Sequence, residues 1–332
     1  MGGINKEKIK KVLVIRFSAM GDIVLTSPIV RALKAAEFQV HYVVKGKFKN
    51  AIQNNTYIDR LFTLEKEGLK EELLTQKYNL VVDLQNNLKS LKLRKGLAQN
   101  IRVVNKENIK KLLLVRSGVD LLNNQHVVER YFRALDNLGV EDDGKGLDFY
   151  IPSDLNSIDK SISFDLSKPY LAWVIGASYK KKILPMDHVI ETCNHVKLPV
   201  AIIGGAEDKA NGDDIIRQTK NQNIHNFCGK LSLLESAVLV KNSCLVLSND
   251  TGLMHIASAF DKKIISFWGC TKPSLGMSPF RTNKHSIMIL SKTHKAPCSK
   301  LGNRCKSYRG GCIKDIEPKL ILESVNRLLG IE

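Results

Sequence analysis

Twice along the chain a short apolar run stops at a glycine-bearing loop and gives way to a segment with helical apolar spacing. The first run is Lys11-Val12-Leu13-Val14-Ile15-Arg16, followed by the loop Ser18-Ala19-Met20-Gly21-Asp22 and a helical pattern from Ile23 to Ala36. The second is Tyr170-Leu171-Ala172-Trp173-Val174-Ile175, followed by Gly176-Ala177-Ser178 and a helix near Asp187 to Val196. Runs this brief read as strands buried on both faces. A strand that turns tightly into a helix opens a doubly wound parallel sheet, whose ligands gather outside the carboxyl ends of the strands. Because the pattern restarts, and because 332 residues exceed what one core usually supports, the fold class expected is α/β with two Rossmann-like domains facing across a cleft.

The same alternation fills in the rest. Strands are expected at Gln39 to Val44, Ile58 to Leu64, Asn79 to Leu84, Pro199 to Ile203, Ile224 to Phe227, Cys244 to Leu247 and Lys263 to Trp268. Helices are expected at Phe48 to Asn54, Leu69 to Gln76, His126 to about Gly139 and Leu233 to Lys241. Prolines 152 and 169 with several Ser and Asp residues mark Asp148 to Lys168 as the interdomain connection, which gives an N-terminal domain over 1–155 and a C-terminal one over 168–315.

The stretch richest in chemistry is Cys244 to Ala259. Its strand closes at Ser248-Asn249, and Thr251 and Gly252 then occupy the turn and first helical position, where backbone N–H groups are free to meet an anion. Asp250, just ahead of them, can hold hydroxyl groups beside a bound phosphate, which makes the segment a nucleotide-sugar or phosphate site. The plainer alternative is that Asp250 caps the helix and His255 packs on its inner face. Asp22 carries the same pair of readings, general base or N-cap. Tyr179-Lys180-Lys181-Lys182 is a phosphate clamp or an exposed loop, and spacing does not separate the two.

A formal charge of +18 calls for an anionic partner: nucleic acid, an acidic membrane surface or a phosphorylated substrate. An aromatic content of only 6%, without an aromatic RNA-binding set, a zinc finger or a basic reading helix, argues against nucleic acid. Lys89, Lys92, Arg94, Lys95, Lys106, Lys110, Lys111 and Arg116 form a solvated face, part of which could meet anionic lipid headgroups or acceptor phosphates. No stretch approaches the length of a membrane span and no secretory signal leads the chain, so a cytoplasmic protein is expected. The sequence lacks GxGxxG, GxxxxGK[ST], HExxH, GxSxG and the Asp-x-Asp pair that holds a metal with a sugar diphosphate. Helix N–H groups and lysines must then neutralise the phosphate. Cys193, Cys228, Cys244 and Cys270 read as reduced thiols in apolar or element-edge settings. Cys298, Cys305 and Cys312 recur every seven residues, which does not match a CxxC zinc knuckle; the expectation is a structural loop of free or partly paired thiols, with no metal, since a metal site would need a fourth ligand such as His294.

Taken in order, these motifs resemble glycosyltransferase family 9, the ADP-heptose:lipopolysaccharide heptosyltransferases. The resemblance rests on the Ser18 to Asp22 loop, Val82-Asp83-Leu84-Gln85 with Ser90, and His126-Val127-Val128-Glu129-Arg130-Tyr131. It continues with Lys182-Ile183-Leu184-Pro185, Gly204-Gly205 with Glu207, Gly229-Lys230, Asp250 to His255 and Trp268-Gly269-Cys270-Thr271. It implies a GT-B fold and inverting transfer of heptose from ADP-heptose to the inner core of lipopolysaccharide, without metal or other cofactor, by an enzyme peripheral to the inner membrane. By the same resemblance Asp22 is the general base, and Ser178, Lys182, Asp250, Thr251, Gly252 and His255 bind the donor. The implied acceptor is a glycolipid, and residues 316–332 form a helix that packs back on the N-terminal domain. A different nucleotide sugar, a nucleic-acid-binding protein and a non-catalytic sugar-nucleotide binder are the competing readings.

Overall fold

The computed structural model describes residues 11–155, 164–307 and 311–331. The N-terminal segment 1–10, the middle of the expected connection (156–163), Tyr308-Arg309-Gly310 of the cysteine loop and Glu332 lie outside the described residues. The chain divides into two compact units, Met1–Asn108 with Gln125–Tyr150, and Ile109–Asn124 with Ile151–Glu332.

The first unit contains β1 (Lys11–Ile15), α1 (Met20–Val24), α2 (Ser27–Ala35), β2 (Gln39–Val44), β3 (Arg60–Thr63), α3 (Leu69–Thr75), β4 (Leu80–Asp83), α4 (Leu88–Arg94) and β5 (Asn100–Val103). Next in the chain comes α5 (Asn108–Ser117), and then α6 (Val127–Arg133), which returns to the first unit. All strand pairs are parallel and the order is β3-β2-β1-β4-β5. Successive residues Val12, Leu13, Val14 and Ile15 are all fully buried, so the sheet is covered on both faces, which is why these strands read as unbroken apolar runs. The helical pattern expected over 23–36 is two helices, because Pro28 has no N–H to give Val24 and its ring crowds that carbonyl. A new helix therefore begins at Ser27, with the proline in its first turn.

The second unit contains β6 (Leu171–Val174), α7 (Met186–His195), β7 (Val200–Ile203), α8 (Lys209–Gln218), β8 (Ile224–Asn226), α9 (Leu233–Asn242), β9 (Leu245–Asn249), α10 (Gly252–Ala259), β10 (Ile264–Trp268), β11 (Ile287–Leu290) and α11 (Pro318–Leu329). Its six strands are again all parallel, in the order β11-β10-β9-β6-β7-β8. Leu171, Trp173, Ile202, Leu247 and Phe267 centre its core.

Two segments group with the second unit. In α11, Ile321, Val325 and Leu328 are buried in the second core and the helix packs along α7, which covers its apolar stripe. Residues 109–124, expected within the N-terminal domain, belong to the second unit, where Leu114 and Leu122 pack with Leu275. Among the described residues no helix is long and apolar enough to cross a membrane.

One buried histidine gives the first sheet a pH limit. His41 of β2 is 2% exposed, with Nδ1 at 2.8 Å from the Tyr78 hydroxyl and its ring edge-on to Tyr78. Burial, with Lys11 and Arg60 nearby, pushes its pKa down from 6.5 to about 4. In that window the unfolded chain binds the proton and the folded one does not, so stability is full above pH 6.5 and falls as the pH drops towards 4. Urea denaturation of wild type should show roughly 2 to 3 kcal/mol lost across this range, and His41→Phe should flatten that dependence. An unchanged slope in the variant would show that other groups govern acid sensitivity.

Candidate active site

In each unit the strand order reverses once, between β1 and β4 and between β6 and β9. Crevices at the carboxyl ends of such strands are where parallel α/β sheets take their ligands. Both reversals carry charged side chains.

At the end of β1, Arg16 turns its guanidinium inward and the chain loops through Ser18 and Ala19 into α1, which carries Asp22 in its first turn. Arg16 Nη2 lies 2.7 Å from Asp22 Oδ1, while Asp22 Oδ2 accepts from the Ala19 N–H at 3.2 Å. Arg16 also donates Nη1 to the Leu84 carbonyl at 2.5 Å and Nε to the Ser18 carbonyl at 2.9 Å, and it lies over the Tyr131 ring. Burial works against the Arg16 charge, but Asp22 and the neighbouring tyrosines outweigh it and hold the proton more tightly than in an ordinary arginine. The Asp22 side chain keeps 25% of its surface open, and a carboxylate with one partner on each oxygen still has lone pairs for an incoming proton.

The next strand holds that loop in place. Gln85, just past β4, accepts the N–H groups of Phe17 and Ser18 through Oε1, at 2.9 and 3.3 Å. Asp83, fully buried, accepts from the N–H groups of Gln85 and Asn86 at 2.9 and 2.7 Å and pairs with Arg94 at 2.6 Å. Asp83 and Gln85 are thus the frame behind Asp22, and Arg94, expected on the solvated basic face, is part of that frame. Lys106 is likewise not simply solvated. Burial and Arg16 lower its pKa, and Asp22 and Asp83 are the charges that oppose them.

The second unit repeats the arrangement, a carboxylate near a strand end paired with a largely buried cation. Asp250 follows β9 and is 8% exposed; its Oδ2 lies 2.7 Å from Lys182 Nζ and accepts from Thr271 Oγ1 at 2.8 Å. Of the three consecutive lysines, Lys182 is the one that reaches this carboxylate, from the 3-10 turn Lys180–Lys182. Thr251 caps α10, its Oγ1 accepting from the Leu253 N–H at 3.2 Å, so Gly252 begins the helix beside Asp250. Asn249, buried at the strand end, donates Nδ2 to the carbonyls of Ile175 and Gly176 at 2.8 and 3.4 Å and accepts the Leu184 N–H at 3.2 Å. One side chain thereby ties the end of β6, the end of β9 and the lysine turn together. Gly176 is required where Asp208 approaches: a Cβ there would stand 2.1 Å from Asp208 Oδ2.

Of the residues singled out from the sequence, the structure joins Lys182, Asp250, Thr251 and Gly252 in one place. Ser178 is exposed in the loop before the lysine turn, and His255 is buried on α10 one turn beyond Thr251. Sequence reading passed over Arg16, Asn249 and Thr271. The available signal was polarity at the end of an otherwise apolar strand, where a buried side chain must have partners. His294 does not complete the cysteine cluster: its Nε2 lies 2.6 Å from Ser307 Oγ, while Cys270 joins Cys298, Cys305 and Cys312 instead.

Residues 67–309 match the family model described as glycosyltransferase family 9 (heptosyltransferase). The chain is similar to lipopolysaccharide heptosyltransferase 1 of Campylobacter coli, 27% identical, with 97% of this chain and 100% of the relative covered. Its architecture resembles the solved ADP-heptose lps heptosyltransferase II of E. coli at a TM-score of 0.73 and 20% identity, covering 96% of this chain and 98% of that one. It also resembles E. coli heptosyltransferase WaaC solved with ADP, at a TM-score of 0.70 and 18% identity, over 96% and 99% of the two chains. The two parallel sheets are of the GT-B type of α/β architecture.

Asn249→Ala would orphan the buried Leu184 N–H and two strand-end carbonyls. Denaturant unfolding should show a loss of about 3 kcal/mol. A loss under about 0.5 kcal/mol, the size of an ordinary surface substitution, would mean that the lysine turn is held by other contacts.

Proposed function

Given that the chain belongs to glycosyltransferase family 9, we propose that it transfers heptose from ADP-heptose to the inner core of lipopolysaccharide, with inversion at the anomeric carbon and without a metal at the sugar diphosphate. The observation that carries this reading is the Lys182–Asp250 pair set at the N-terminus of α10. A diphosphate arriving there meets a lysine ammonium and the first N–H groups of a helix, the two devices that neutralise phosphate when no cation does. Asp250, relieved of Lys182, is placed to accept hydroxyls of the sugar, with Ser178 and His255 as further donor-side groups. As the anomeric C–O bond breaks, its electron pair goes to the ADP oxygen, and Lys182 with the Thr251 and Gly252 N–H groups stabilises the charge that develops.

Asp22 serves as the base in this scheme. It takes the proton of the acceptor hydroxyl while that oxygen forms the new bond to the anomeric carbon from the side opposite ADP, which inverts the centre. Arg16 and the Ala19 N–H fix the direction in which the carboxylate points. The donor assignment draws on the ADP bound by the E. coli neighbour. Asp22→Asn should lower turnover by about 100- to 10,000-fold, the usual contribution of a general base. It should keep the thermal stabilisation given by ADP-heptose, which amounts to about 2.7 kcal/mol at 100 times the dissociation constant. Turnover within tenfold of wild type would remove Asp22 from this role, and stabilisation by a uridine sugar but not by ADP-heptose would replace the donor.

The glycolipid acceptor calls for a membrane face, and α5 supplies suitable chemistry. Ile109, Leu112 and Leu113 stand 77%, 40% and 40% exposed at helical spacing, followed by Val119 and Leu121 at 50% and 46%. Lys110, Lys111 and Arg116 lie among them. Apolar side chains flanked by basic ones insert at an anionic headgroup layer, so peripheral binding at the cytoplasmic face of the inner membrane is the reading we adopt. Ile109→Ser with Leu113→Ser should abolish co-sedimentation with phosphatidylglycerol vesicles at low salt. Equal sedimentation of variant and wild type would place the membrane contact elsewhere.

A further inference from the structure

Three cysteines seven residues apart and a fourth 28 residues earlier meet in the second unit. Cys270 lies two residues beyond β10, and Cys298, Cys305 and Cys312 come from the loop that follows β11. Their four Sγ atoms all lie within 4.8 Å of one another, with Cys270 to Cys312 at 3.7 Å and Cys298 to Cys312 at 4.0 Å. Cys270, Cys298 and Cys312 are buried and Cys305 is half-buried. A disulfide would bring one pair to about 2.05 Å, and no pair is joined. Thiolates bound to one tetrahedral zinc at about 2.3 Å stand about 3.8 Å apart along each edge, close to the 3.7 and 4.0 Å of two of these pairs, and the whole set stays within 4.8 Å. An iron–sulfur cluster would put several iron and sulfide atoms between the thiolates and hold them farther apart.

We propose that Cys270, Cys298, Cys305 and Cys312 bind a single divalent metal ion of the zinc class, which locks the 298–312 loop against the lysine turn. The surroundings suit such a site. The Cys270 carbonyl accepts the N–H groups of Cys298 and Ser299 at 2.8 and 3.3 Å, so the first two ligands are already joined through the backbone. Ser299 Oγ accepts the N–H groups of Gly302 and Arg304 at 3.0 and 3.4 Å, closing the turn that leads to Cys305. Loading the site releases four thiol protons to solvent and leaves a net charge of −2, and the buried Lys272 ammonium two residues from Cys270 offsets part of it. Four protein ligands leave no open position, so the ion is structural and takes no part in bond making.

The same loop reaches the donor machinery. Gly302 adopts φ +77° with the Lys182 side chain so close that a Cβ would stand 2.6 Å from its Cγ. Gly311, at φ +93°, approaches the Lys181 carbonyl, where a Cβ would stand at 3.0 Å. The metal would therefore position Lys182 through the loop, a consequence that rests on the donor reading above, whereas the metal site does not.

Full-length protein purified under reducing conditions without chelator should carry one equivalent of zinc or iron by elemental analysis. Mercurial titration should release it in step with thiol modification, and cobalt reconstitution should give the visible bands of a tetrahedral thiolate. Cys305→Ser should lose the metal and Cys193→Ser should keep it; if Cys305→Ser does not fold, the mercurial release from wild type decides. Two disulfides by mass spectrometry under non-reducing conditions, or four reactive thiols with no metal at saturating zinc, would overturn the proposal. Metal removal should raise the KM for the nucleotide sugar more than it lowers kcat. A metal-loaded protein whose donor KM is unmoved by metal loss would leave the site standing and refute its hold on Lys182.

Discussion

A carboxylate at the end of a buried parallel strand needs a partner, because burying a charge without one costs several kcal/mol. Three acids near the strand-order reversals obey that constraint. Asp83 is fully buried and pairs with Arg94, Asp22 pairs with Arg16, and Asp250 pairs with Lys182. The pairs differ in what they leave available. Asp83 is consumed by Arg94 and two backbone N–H groups, so it can only hold structure. Asp22 faces an arginine, which cannot give up its proton, and remains a quarter exposed. Asp250 faces a lysine, whose ammonium is a point charge on a flexible four-carbon stem.

The geometry of both reversal points follows from the sheets. Parallel strands set their carboxyl ends on one edge, and the reversal of strand order leaves a gap in the cover of helices there. Short side-chain bridges then fix the loops at that gap. Gln85 does so in the first unit by taking two N–H groups of the β1 loop, and Asn249 does so in the second by joining two strand ends and the lysine turn. These bridges preorganise charged groups before a ligand arrives, which is how an active site avoids reorganising at the moment of reaction. The cysteine cluster extends the same logic to the far side of the lysine turn, where the 298–312 loop meets Lys181 and Lys182 through glycines that no larger residue could replace without displacement.

Much of this was legible from spacing alone. Unbroken apolar runs placed nine of the eleven described strands within a residue or two, because a strand buried on both faces has no polar positions to interrupt it, whereas the less buried edge strands β5 and β11 gave no such run and were not expected. Asp22, Lys182, Asp250, Thr251 and Gly252 stood out because they fall in the turns and first helical residues after strands, the region where parallel α/β sheets take ligands. The break between α1 and α2 was readable in principle from Pro28, and the apolar spacing on both sides concealed it. Helix α5 was hidden for a different reason: the consecutive run Leu112, Leu113, Leu114 and Val115 puts apolar residues on every side of the helix, which masks the i, i+3, i+4 spacing of the exposed Ile109, Leu112 and Leu113.

The amino-acid sequence by itself determined two parallel α/β units and the strand ends at which chemistry could occur, because periodicity and loop residues are local properties. Only the tertiary structure decided which charges pair, that α11 stays with its own core, that 109–124 joins the second unit, and that Cys270 completes a four-thiol set begun 28 residues later by Cys298. Those facts depend on residues distant in the chain being brought within a few ångströms, and no pattern along a single strand or helix encodes that meeting.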